Sequence, residues 1–318
     1  LRVLITGGAG FIGSNLARAL VGAGHQVVLF DNLVTMQSTA LVDDLLDRAE
    51  FIHGDVRCPE DLDRLPPGAW DAVYHLAASF ANELSVAHPT LDLRTNVEGT
   101  VNVLAAIRRA GCGLFVYAGS SSSYGDGQVP FREDDTPRPL TPYATSKHTG
   151  ESHVQASGLD YTIFRFFNVY GPGDPPGRYR NAIPNMFKSL DGANGRIRVF
   201  GAGATRDFTF VDDVVTILED ASRAAGTVVN VGTGVETNIE DLARRILRVS
   251  GMGSDRITVE PSRPWDRVLR RCADVHRLES LFGWVPATTL DEGLGRTARW
   301  LSSRGYIRAA VQDLDEAA

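Results

Sequence analysis

At 318 residues the chain is long enough to bury a sizeable core and to hold one elaborated domain or two lobes. Its formal charge of -7 excludes broad binding to nucleic acid or to an anionic membrane, because both need an extended basic surface. The cysteines Cys58, Cys112 and Cys272 are far apart, odd in number and without metal-ligand spacing, which suits reduced thiols in a cytoplasmic protein better than disulfides or a metal site.

The chain opens on a short apolar run, Leu1 to Thr6, read as a strand rather than a cleavable leader. Gly7-Gly8-Ala9-Gly10-Phe11-Ile12-Gly13 and the helically spaced apolar residues of Ser14 to Leu20 follow it. Strand, tight turn and helix are predicted there. Glycines at 7, 10 and 13 let the backbone approach a pyrophosphate, whose charge then meets a helix N-terminus. The next apolar run, Gln26 to Phe30, is followed by Asp31 and Asn32, near the distance at which an acidic residue takes a ribose diol. An aspartate there repels a 2'-phosphate, so NAD is favoured over NADP.

Further strands are predicted at 51–52, 72–75, 114–117, 161–165 and 228–231, with helical stretches between most of them. Strand and helix in turn imply an α/β fold with a doubly wound parallel Rossmann sheet. Asp55, in Gly54-Asp55-Val56 after the third strand, reads as a loop cap or an adenine contact, and its place after a strand favours the adenine. His75 ends an apolar strand and reads as a satisfied core residue. No apolar run nears the ~20 residues of a membrane span.

After Asn168 the texture changes. Gly171 to Gly177 is dense in turn formers, and the chain beyond is richer in arginine. A smaller C-terminal substrate-binding lobe, 169–318, is predicted beside a cofactor-binding region 1–168, with 207–232 returning to the first. The acidic tail from Gln312 to Ala318 is expected to fray.

Hydride chemistry is suggested by Tyr143 and Lys147. They stand four apart in Pro142-Tyr143-Ala144-Thr145-Ser146-Lys147, so they share one helix face. A tyrosine base near pH 7 needs its pKa lowered by roughly 3 units, about 4 kcal/mol, and a neighbouring ammonium is expected to supply much of that. Alone, the pair reads as an exposed aromatic and a solvated lysine, and it is the rest of the chain that overturns that reading.

The chain as a whole resembles the extended short-chain dehydrogenase/reductase family, specifically its nucleotide-sugar epimerases and dehydratases. The resemblance rests on Thr6 to Gly13, Gly54 to Val56, Tyr74-His75-Leu76-Ala77-Ala78, Asn96 to Thr100, Ser120 to Gly125, Tyr143 to Lys147 and Arg165 to Pro172. It implies that Gly7, Gly10, Phe11, Ile12, Gly13, Asp31, Asn32, Asp55, Val56, Leu76, Ala77, Ala78, Asn96 and Phe166 serve the cofactor, together with Tyr143 and Lys147, which bonds the nicotinamide ribose. It also implies a homodimer through the helix carrying Val101, Leu104 and Ala105.

Within that family Ser120 corresponds to the residue that hydrogen-bonds the reacting sugar hydroxyl. The hexose 4,6-dehydratases that resemble this chain carry Asp-Glu where Ser121 and Ser122 stand, since eliminating water needs an acid and a base beyond the tyrosine. Related decarboxylases carry a glutamate at the second position, which is also missing. The tract instead resembles 4-epimerases of UDP-hexoses or UDP-N-acetylhexosamines. The implied reaction passes through a 4-keto sugar, with Ser120, Tyr143 and Lys147 catalytic. The runners-up are another nucleotide-sugar dehydratase or C-3/C-5 epimerase, since Ser123 stands where valine is usual, and, from another class, a dinucleotide-sensing regulator.

An acidic protein must meet a diphosphate with local arginines. Arg206 before Asp207-Phe208 and Arg263 in Arg263-Pro264-Trp265-Asp266 resemble the family's diphosphate grips, with Trp265 in place of a usual glycine. Asn168 is expected at the diphosphate, and Asn82 and Ser121 near the hexose. Phe200 reads as packing near the base or in the core.

Overall fold

The computed structural model describes residues 1–266 and 268–308. Seven parallel strands form the main sheet, in the spatial order Thr227–Val231, Tyr161–Phe166, Cys112–Ser120, Trp70–His75, Arg2–Thr6, Gln26–Asp31 and Glu50–His53. Each of the seven runs picked out in the sequence is one of these strands. Their apolar residues are buried on both faces, as a parallel sheet requires, and Leu4, Ile5, Leu29, Val73, Phe115 and Val116 are all fully covered. The strand order reverses beside Arg2–Thr6, which pairs with Gln26–Asp31 on one side and Trp70–His75 on the other. Such a reversal opens a crevice at the carboxyl ends of the strands.

Helices cover both faces. On one, Leu16, Ala17 and Leu20 of Phe11–Gly22 share a core with Val211, Val214 and Leu218 of Val211–Glu219. On the other, Val103, Leu104 and Ile107 of Gly99–Ala110 pack with Val154 of Pro142–Gln155. Leu104 therefore faces the sheet rather than sharing an outer side with Val101 and Ala105, which corrects the sequence reading of that helix. A separate apolar core gathers Ile183, Met186 and Phe187 with Leu242, Ile246, Leu294 and Leu301. The chain links the two cores by parallel pairing of Asn168–Tyr170 with Phe208–Phe210.

Buried polar groups are tied together. His75 lies 2.7 Å from the Thr6 hydroxyl and 3.0 Å from that of Thr100, and burial, with the charge of Lys147 adding to it, pushes its pKa down to about 3. Arg165 donates to Glu151 in an ion pair whose side chains are 5% and 2% exposed. Among the described residues no helix is long and apolar enough to cross a membrane, and no cluster of histidine, cysteine or carboxylate side chains is placed to hold a metal. The acidic tail beyond residue 308 lies outside the described residues.

Candidate active site

The glycine-rich turn joins the strand Arg2–Thr6 to the helix Phe11–Gly22 at the crevice. Gly7 adopts φ +71, and its amide donates to the Phe30 carbonyl at 2.8 Å, pinning the turn to the neighbouring strand. A Cβ at Gly13 would stand 2.1 Å from the Gly7 carbonyl oxygen, so only glycine lets helix and turn approach this closely. The helix begins at Gly10 without a capping side chain, which leaves its first-turn amides directed at an anion site. Asp31 accepts from the amides of Ala9 at 3.1 Å and Leu33 at 2.7 Å, and burial pushes its pKa up against those hydrogen bonds. A turn with no room for side chains and a carboxylate ending the next strand fit a dinucleotide.

Tyr143 and Lys147 stand in the same crevice. Pro142–Gln155 starts where it does because the Thr141 hydroxyl accepts from the Ala144 amide at 3.2 Å and Pro142 occupies the first turn. Tyr143 and Lys147 both line the cleft from this helix. Ser120 ends the strand Cys112–Ser120, and its Oγ accepts from the Ser122 amide at 3.2 Å while lying 2.7 Å from the Ser122 hydroxyl. The serine tract is thus a fixed 3-10 turn, Ser121–Tyr124, rather than a loose polar loop.

Burial pushes the Tyr143 phenol up to about 12, opposed by the Ser120 hydrogen bond and by the charge of Arg271. Burial likewise brings Lys147 down to about 8, with Asp92 and Glu151 opposing it. The expected lowering of Tyr143 by Lys147 is corrected here. The ammonium sits 4.3 Å over the Tyr117 ring, and desolvation of the phenolate outweighs the help the protein gives it.

The cleft between these two sides has a volume of about 590 Å³, within the usual range for a ligand site. Of the residues singled out in the sequence, Gly7, Gly10, Phe11, Ile12, Gly13, Asp31, Asn32, Val56, Leu76, Ala77, Ala78, Asn82, Ser120, Ser121, Tyr143, Lys147, Phe166 and Asn168 line it. Asp55, Asn96, Phe200, Arg206 and Arg263 do not. The Asp55 carboxylate is engaged by Arg57 at 2.5 Å and by Asn32 at 2.9 Å, which keeps its pKa low, at about 2, against its burial. Asn96 holds the cleft wall instead of facing it. Its amide bridges the Ser79 carbonyl at 2.8 Å and the Ser146 hydroxyl at 3.0 Å, tying the Ala77-Ala78 segment to the helix of Tyr143. It does so from a π-helical turn, Arg94–Glu98, a widening often found at functional sites. Arg206 pairs with Asp266 at 2.9 Å, and the Arg263 guanidinium lies 4.1 Å from the Phe200 ring and 5.3 Å from that of Trp265.

Sequence reasoning missed Arg271, Asp174, Arg178 and Arg180, which also line the cleft. Asp174 is fully enclosed, bonded by Asn181 at 2.8 Å and pushed up to about 7 by burial. It also missed Asp207, whose buried carboxylate accepts from the amides of Thr233, Gly234 and Ala273 at 2.9 to 3.1 Å and so fixes the loops behind Arg206.

Residues 3–232 match the family described as NAD dependent epimerase/dehydratase. The chain belongs to that family. Its likeness to single members extends over nearly its full length. The UDP-glucose 4-epimerase of Mycolicibacterium smegmatis is 34% identical over 96% of this chain and 99% of its own. The UDP-N-acetyl-alpha-D-glucosaminuronate decarboxylase of Bacillus cytotoxicus is 32% identical over 94% of this chain and 97% of its own. The solved UDP-glucuronic acid 4-epimerase of Bacillus cereus, a tyrosine-to-phenylalanine mutant bound to NAD and UDP-4-deoxy-4-fluoro-glucuronic acid, is 27% identical with a TM-score of 0.86, covering 96% of this chain and 100% of that one. The chain is therefore an NAD-dependent epimerase/dehydratase-family enzyme with a Rossmann sheet, and the three relatives named above are named for UDP-sugars.

Proposed function

We propose that this enzyme inverts C4 of a UDP-sugar through a transient 4-keto intermediate. The observation that carries the reading is the reacting end of the cleft: Ser120, Ser121, Ser122, Tyr143 and Lys147 line it, and the carboxylates that line the cleft, Asp31 and Asp174, are engaged by backbone amides and by Asn181 respectively. Dehydration needs an extra acid and base, and the neutral serines offer neither near pH 7. Epimerisation needs one proton shuttle.

In this reading Ser120 orients the sugar 4-hydroxyl and Tyr143 takes its proton, then returns a proton to the same oxygen after the ketone has turned over. Bound NAD supplies hydride acceptance and return, and adds positive charge beside a phenol whose own surroundings leave it near 12. Lys147 holds the cofactor ribose. Arg206 and Arg263 grip the diphosphate when the loop of Trp265 closes on it, Asn168 donates to the same group, Asn82 and Ser121 face the hexose, and Phe200 packs by the base. The backbone around Asp55 and Val56 borders the adenine, and Asn96 keeps the wall beside it in place. The relatives named above include both epimerases and a decarboxylase, so the test is product identity. UDP-sugars are incubated with the enzyme and products read by proton NMR. Inversion at C4 with all carbons retained supports the reading, whereas a 6-deoxy or decarboxylated product rejects it.

The same reading includes a cytoplasmic homodimer. Val101 and Ala105 stay exposed on Gly99–Ala110, and Leu91 and Leu93 on Pro89–Leu93 are exposed as well. Sedimentation at micromolar concentration tests it: a monomer there rejects the pairing.

A further inference from the structure

Arg271 stands out among the cations of the cleft. Arg57 is held by Asp55 at 2.5 Å, Arg180 donates to the backbone at Thr35 and lies over Phe80, and Arg178 lies over the ring of Tyr179. Arg271 makes no hydrogen bond or ion pair among the described residues, and its Nε is buried without an acceptor. Leaving a charged donor unsatisfied in a buried place is costly, so a ligand group is expected to complete it.

The guanidinium is also carried on a fixed support. The backbone on one side of it accepts from the Thr205 amide at Leu269 at 2.9 Å. On the other, Cys272 and Asp274 pair with Phe131 at 2.8 Å each, and the Ala273 amide donates to Asp207 at 3.1 Å. A pre-placed cation loses little entropy on binding an anion.

Its neighbours define which part of a ligand it meets. Arg271 lines the cleft together with Tyr143 and Ser120, and two residues before it the Leu269 carbonyl accepts from Arg206 at 3.3 Å, so it borders both the reacting alcohol and the diphosphate grip. That is the span a hexose ring occupies in the proposed reaction. The serines that line the reacting end are neutral, and Asp266 is already engaged by Arg206. A neutral hydroxymethyl group answers no charge there. A carboxylate does, and its two oxygens match the guanidinium fork.

We propose that the preferred substrate is a nucleotide sugar whose hexose carries a carboxylate, and that Arg271 is the residue that selects it. The inference rests on the reading of this cleft as a nucleotide-sugar site and deepens it to a substrate class. A C4 ketone beside a carboxyl-bearing C5 is a β-keto acid, which loses carbon dioxide readily. A guanidinium holding the carboxylate in its ionised form, with no acid at Ser121 or Ser122 to protonate the resulting enolate, suits retention of that carbon through the turnover.

The test compares kcat/KM for UDP-glucuronic acid and UDP-glucose on the NAD-loaded enzyme and on Arg271→Gln and Arg271→Lys, with UDP affinity measured alongside and NAD content confirming the fold. The expected result is a preference for the uronate that falls about 10- to 100-fold in Arg271→Gln, with partial rescue by lysine and UDP affinity changed far less. A preference for UDP-glucose, or equal losses for both sugars and for UDP, overturns the inference, the latter by making Arg271 a diphosphate contact. C4 inversion of UDP-glucose alone sinks this inference and leaves the epimerase reading standing. An Arg271-dependent uronate preference with a pentose product sustains this inference and rejects epimerisation.

Discussion

The two walls of the cleft are built by different means. On the wall proposed for the cofactor the backbone sets the shape: a turn with φ +71 at Gly7, a helix start with no side chain in the way, and a strand that delivers Asp31 to its end. On the wall proposed for the substrate, side chains from segments far apart in the chain come together: Arg271 lines the cleft with Arg206 and Arg263 outside its lining, and the three owe their positions to Asp207, Asp266 and Phe131. The first wall tolerates almost no change in shape. The second can change its ligand by exchanging single residues on a common frame, which is the physical sense in which epimerases and decarboxylases share this fold.

The contrast is broken most directly at Gly13. Gly13→Val places a branched side chain where a Cβ alone would stand 2.1 Å from the Gly7 oxygen, so the purified variant should carry no NAD and show no turnover. Cofactor content by absorbance and mass spectrometry checks this, and retention of NAD at wild-type level would show that the turn is not the cradle. Tyr143→Phe comes next. It should lower kcat by about 10³-fold with NAD retained, in line with losing a general acid-base group; a loss under tenfold would remove Tyr143 from the proton path.

Glu151→Ala probes the frame shared by both walls, because it leaves Arg165 buried without its partner. A loss of about 3 to 5 kcal/mol is expected in denaturant titration, the usual result of uncovering one half of a buried pair. On the substrate wall, Arg206→Lys should weaken UDP binding about tenfold while NAD content stays the same, since lysine replaces a fork with a point charge; calorimetry would show it, and a parallel loss of NAD would mean the walls are not separable.

A further effect is on pH. Burial holds His75 neutral with a pKa of about 3 in the fold, below the ordinary imidazole value of 6.5. Between these values the unfolded chain binds the proton and the folded one does not, so stability falls as pH drops from about 6.5 toward 3. Melting curves across that window should flatten in His75→Gln relative to the parent; an unchanged slope would place the acid sensitivity elsewhere.

The same contrast explains what is legible in the sequence. Strands at 51–52 or 114–117 announce themselves by local apolar runs, and the spacing of Gly7, Gly10 and Gly13 reports a backbone geometry directly. Tyr143 and Lys147 share a helix face by spacing alone. Arg271 is different. It sits in Arg270-Arg271-Cys272, where nothing local separates the guanidinium that pairs with Glu236 from the one that faces the cleft. Asn96 is visible in the sequence, but its π-helical turn and its bridge from Ser79 to Ser146 depend on how a helix packs 50 residues away in sequence. The acidity of Tyr143 is hidden for the same reason: spacing gives the lysine, and only the folded site gives the burial that opposes it.

In the proposed reaction Tyr143 moves one proton at O4 while C4 gives up and regains its hydrogen. A UDP-sugar deuterated at C4 tests this in one tube. The expected product is inverted at C4 and keeps deuterium there with all carbons in place; deuterium lost to solvent, or found at C6, would contradict this reaction.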